Sequence, residues 1–108
     1  MRMDVLRGPD AATLLVRALR ADAAAAGFGV ALETLDTRPW ASATFTGARH
    51  RLRITAAPVP GFRSWLESLP ETELALHRQI VADLAIDAVE MVDGLMQATI
   101  AVLTLIDA

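Results

Sequence analysis

The 108-residue chain has room for one ordinary domain, and its 54% apolar and 21% charged residues, with mean hydropathy +0.39, exclude a disordered segment. The absence of cysteine excludes disulfides, thiolate metal sites and cysteine nucleophiles. A net charge of -3 argues against nonspecific nucleic-acid binding, whose affinity comes from neutralising phosphates.

The opening stretch MRMDVLRGPD lacks the apolar core of a secretory signal, and the run from Ala98 to Ile106 is too short to cross a bilayer. Both observations predict a cytoplasmic protein with no membrane partner. Lys, Asn and Tyr are absent while Ala and Arg abound, the residue bias of a GC-rich bacterial genome. Arginine here can therefore stand where another chain would use lysine.

In chain order, Asp10 after Gly8-Pro9 is placed to cap a helix that runs through Leu14, Leu15, Ala18 and Leu19 and stops at Gly27. Residues Phe28 to Asp36 alternate as a first strand, with Thr37-Arg38-Pro39 turning the chain. The segment WASATFTGARHRLRI then predicts a hairpin with Gly47-Ala48 at its tip. In that register Arg49, Arg51 and Arg53 share one face with Thr46, Thr44 and Ser42, and His50 falls on the apolar face opposite Phe45. FRSWLESLP fits a short helix that buries Phe62, Leu66 and Leu69 before Pro70 ends it.

The stretch from Leu74 to Ile106 supports two readings. A helix over residues 72–93 would place Leu74, Val81, Leu84, Ala88 and Met91 on one side. The β-branched residues Ile80, Val81, Ile86, Val89 and Val92, with the type I′ turn signal Asp93-Gly94, favour a hairpin, which is the reading preferred here. It sets Glu90 opposite Gln97, Asp83 opposite Thr104 and Leu84 opposite Leu103. The predicted fold is α+β, a two-layer sandwich of about five antiparallel strands with two helices on one face, in the order αβββαββ and in one domain over residues 1–108.

Phosphate-binding loops, dinucleotide fingerprints, EF-hand loops and HExxH motifs are all missing, and Ser42, Ser64 and Ser68 lack a nucleophile-elbow context. No cofactor is expected, and no metal, since His77 is remote along its strand from Asp87. The arginine row Arg49, Arg51 and Arg53 has two readings. It can fork onto the oxygens of a small anionic ligand, or it can interleave with Asp83 and Asp87 of the second hairpin, in exposed pairs contributing about 0.2–1 kcal/mol each. The second is preferred. His50 beside the row is the candidate acid or base should the site be catalytic.

The second hairpin is too apolar to face water, which predicts a homodimer joined through the sheet faces, with Val89, Ile100, Val102, Asp83 and Asp87 at the interface. The expected function is a noncatalytic homo-oligomeric interaction module. The alternative is a small anionic-ligand module or enzyme built on Arg49, Arg51, Arg53 and His50. Nucleic acid is disfavoured as a partner by the acidic total and by the lack of aromatics interspersed on the arginine face.

The segments RPWASATFTGARHRL and HRQIVADLAID, together about a quarter of the chain, resemble a family of small bacterial proteins that share a WASATF, GxRH and VADLA arrangement. That resemblance implies a bacterial origin and brings no activity or site residues with it.

Overall fold

A computed structural model describes residues 10–106; the expectation about a leader in the first nine residues lies outside them. The chain runs through helix α1 (Ala11–Ala25), strands β1 (Ala31–Ala41) and β2 (Thr46–Ala56), helix α2 (Phe62–Ser68) and strands β3 (Gln79–Val92) and β4 (Leu95–Ile106). The four strands form one antiparallel sheet in the order β1-β2-β4-β3. The α+β class, the antiparallel sheet and the two helices agree with expectation, whereas the sheet has four strands rather than five and the order is αββαββ.

Helix α1 starts where Asp10 accepts a hydrogen bond from the Thr13 amide at 2.9 Å, which satisfies an otherwise orphaned donor. Its end is closed by Gly27 at φ +91° and by the Phe28 amide, which donates back to the Ala23 carbonyl at 2.8 Å. Leu15, Leu19 and Ala23, four residues apart, form its buried stripe. Phe62, Trp65 and Leu66 form that of α2, and Leu69 is buried in the 3-10 turn Leu69–Glu71 that contains Pro70. The Trp65 indole N–H donates to Asp22 Oδ2 at 2.9 Å and so ties α2 to α1, while Phe28 packs edge-on against Phe62 with ring centroids 5.5 Å apart.

Both helices pack on one face of the sheet, against Leu52, Ile54 and Ala56 of β2, Met96, Ala98, Ile100 and Val102 of β4, and Leu84 of β3. Val89 is half-buried against the same core. The placement corrects the interface expectation for Val89, Ile100 and Val102. All three lie on the core side of the sheet, where Ile100 and Val102 are almost fully buried and Val89 is half-buried. Among the described residues no helix is long and apolar enough to cross a membrane.

The missing fifth strand has a local cause. Thr37, Arg38 and Pro39 do not turn; they continue β1 and pair with His50, Arg49 and Ala48. Proline is tolerated there because β1 is an edge strand, where the absent N–H breaks no ladder bond. The chain reverses instead at Ser42 to Phe45, where the Ser42 amide donates to the Phe45 carbonyl at 2.8 Å and Ser42 Oγ accepts from the Phe45 amide at 3.1 Å. Gly47 is thus a strand residue opposite Trp40 and Leu105, not a turn residue.

The β3–β4 turn lies at Asp93-Gly94, whose φ values of +51° and +80° match the type I′ geometry expected for that pair. Glu90 faces Gln97 as predicted. Farther from the turn the register slips twice, between Ile86 and Ala88 and between Val81 and Asp83, so Leu84 meets Val102 and Asp83 meets Leu103. Each slip inserts one residue and returns Val81, Leu84, Ile86 and Val89 to the core face.

Candidate functional site

The face of the sheet away from the helices carries the remaining chemistry. Alternation along β2 sends Arg49, Arg51 and Arg53 to this open face, while Leu52 and Ile54 are buried on the other. Their neighbours across β1 are Arg38, Asp36 and Glu33, not the Thr46, Thr44 and Ser42 row expected from a turn at Gly47. Arg53 Nη1 donates to Glu33 Oε1 at 2.8 Å, and Arg38 Nε donates to Asp36 Oδ2 at 2.9 Å. Asp83 and Asp87 do not pair with the arginines inside the chain: β4 lies between β2 and β3, Asp83 sits on β3 opposite Leu103, and Asp87 occupies a bulge. The preferred acid-base interleaving is therefore replaced by pairs with β1, because β2 is flanked by β1 and β4 rather than by β3.

Arg49 and Arg51 form no salt bridge among the described residues. The Arg49 guanidinium lies 5.9 Å from the Trp40 ring centroid, a cation–π contact that orients it without neutralising it. Arg38, Arg49 and Arg51 surround a shallow depression of about 380 Å³ whose lining also includes Asp36 and Ala101, together with His50 and Val102, whose side chains alternation sends to the other face. Ala101 faces Arg51 across β2 and β4, and its small side chain leaves the space. Arg38 escapes sequence reasoning because Thr37-Arg38-Pro39 carries turn residues and an extra residue between Thr34 and Asp36 interrupts the period-2 pattern of β1.

On this side β4 carries half-buried Leu103, Ala101, Thr99 and Gln97 beyond a buried Leu105, and β3 carries Ile80 opposite Leu105 and Asp83, Ala85, Ala88 and Glu90 opposite the others in register. Ile80 is 47% exposed. Neither β3 nor β4 contains a basic residue. The open face is therefore divided, with arginine in excess over β1 and β2, an uncharged strip along β4, and carboxylates along β3.

His50 belongs to the opposite face and cannot serve an open-face site as acid or base. Its ring is 1% exposed, with Nδ1 3.1 Å from Thr37 Oγ1 and Nε2 2.9 Å from Thr104 Oγ1. Burial holds the imidazole below its ordinary pKa of 6.5, with the Asp10 carboxylate acting weakly in the other direction. The Asp10 carboxyl is in turn held below its usual range by the hydrogen bonds from Thr13. His50 is a structural polar link across β1, β2 and β4. Among the described residues no group of three or more His, Asp or Glu side chains is arranged to hold a metal ion.

No protein-family model, curated protein or solved structure matches the chain.

Proposed function

We propose that this chain is a noncatalytic interaction module that associates with a second copy of itself through the open face of its sheet. One observation carries the reading: the strip Leu103, Ala101 and Thr99 is flanked on one side by Arg49, Arg51 and Arg53 and on the other by β3, whose charged residues are all acidic, with Asp83 opposite Leu103 and Glu90 opposite Gln97. A sheet face with an uncharged centre and oppositely charged flanks is self-complementary, which is what a two-fold interface requires. Sedimentation velocity at micromolar concentration is expected to show a species of twice the 11.6 kDa chain mass. A single species at the chain mass would remove this reading.

A second reading is favoured by the depression at Arg38, Arg49 and Arg51. Three guanidinium groups around the single carboxylate of Asp36, which Arg38 already engages, leave an excess of positive charge suited to a small oxyanion. Inorganic phosphate should then raise the melting temperature of the wild-type chain, and Arg51→Ala should abolish the rise. A wild-type melting temperature that phosphate leaves unchanged counts against any such ligand.

A further inference from the structure

Resting on the self-association reading, we infer how the two copies are arranged: the two-fold axis runs parallel to β4, placing Arg49 of each protomer over Asp83 of the partner subunit. Stacked sheets lie about 10 Å apart face to face, and aligned packing keeps their strand directions within about 30° of each other. Two in-plane axes give aligned stacking of this sheet. An axis across the strands sets β2 over β2 and β3 over β3, so arginines confront arginines and carboxylates confront carboxylates. An axis along β4 exchanges the flanks and sets β2 of each copy over β3 of the other. Like charges brought together at an interface are strongly unfavourable, so charge selects the second arrangement.

The register then identifies the pair. Rotation about an axis along the strands leaves each residue at its own height. Arg49, Leu103 and Asp83 stand at one height, since Arg49 faces Leu103 across β2 and β4 and Leu103 faces Asp83 across β4 and β3. Arg51 shares its height with Ala101 and Ala85. At the height of Arg51 the interface is thus lined by alanines, while at the height of Arg49 it is filled by Leu103, across which Arg49, held on Trp40, reaches to the opposing carboxylate. Arg53 is already engaged with Glu33 and takes no part.

The test is a charge exchange read by sedimentation, with circular dichroism confirming that each variant is folded. Arg49 and Asp83 are both exposed, so neither change should disturb the core. Arg49→Asp and Asp83→Arg alone should each weaken the dimer at least about tenfold. An equimolar mixture of the two single variants, and the double variant by itself, should recover dimerisation. A wild-type dimer that neither single change weakens, or one in which Arg49→Asp associates more tightly with wild type than with Asp83→Arg, overturns this arrangement while leaving self-association standing. A monomeric wild-type chain overturns both.

Discussion

His50→Ala is expected to destabilise the fold by about 2–5 kcal/mol, as measured by chemical denaturation at neutral pH. The ring is buried between β1 and β4, and its two nitrogens lie within hydrogen-bond distance of the Thr37 and Thr104 hydroxyls. Alanine leaves a cavity between β1 and β4 and removes the partner of both hydroxyls. Thr104 keeps only a long contact of 3.5 Å to the Ala48 carbonyl, while Thr37 is exposed and can turn to water. Most of the loss is therefore the cavity.

The same residue predicts a pH dependence. In the unfolded chain the imidazole titrates near 6.5, and in the folded protein burial moves that event lower. The unfolded state thus binds more protons between the two values. The stability gained from a neutral His50 is complete above about pH 6.5 and is lost as pH falls from there through the depressed folded value. His50→Leu preserves most of the buried volume and removes the proton. Its stability between pH 8 and pH 5 should be flatter than that of wild type; parallel profiles would show that His50 does not govern this window.

Gly47→Ala is expected to cost about 1–3 kcal/mol, visible as a lower denaturation midpoint. A Cβ at this position would overlap the Thr104 carbonyl and crowd the Leu105 Cα. Both obstacles are backbone, so no side-chain rotation relieves them, and β2 must move away from β4 where Gly47 faces Leu105. Gly29→Ala provides the contrast. A Cβ there meets nothing within 4 Å, and the change should be neutral or stabilising by up to about 1 kcal/mol through the unfolded chain. Equal losses at the two positions would mean that the close approach at Gly47 is not what requires glycine.

The helix-like pattern of residues 72–93 has its origin in the bulges. Core residues of β3 fall at Val81, Leu84, Ile86 and Val89, spaced three, two and three apart. Two inserted residues in a period-2 strand produce that spacing, and it is close enough to a helical face to support either element. The Asp93-Gly94 turn decides between them because it acts locally. The first hairpin shows the opposite outcome. Gly47-Ala48 and Thr37-Arg38-Pro39 both carry turn residues, yet both lie within strands, one held by the approach of β4 and the other allowed by its edge position.

The features legible in the sequence are those that local chemistry controls: the Asp10 cap, the stop at Gly27, the buried faces of the helices, the Asp93-Gly94 turn and the division of Arg49, Arg51 and Arg53 from His50 by alternation. Each rests on backbone geometry or hydrogen bonding within a few residues. The tertiary structure alone decided the strand count, the partners of the arginines and the covering of Ile100 and Val102. These depend on which strand lies beside β2, a choice made by pairing segments some fifty residues apart to bury one face of the sheet under two helices. That order inserts β4 between the arginines and Asp83, leaving the opposite charges on one open face.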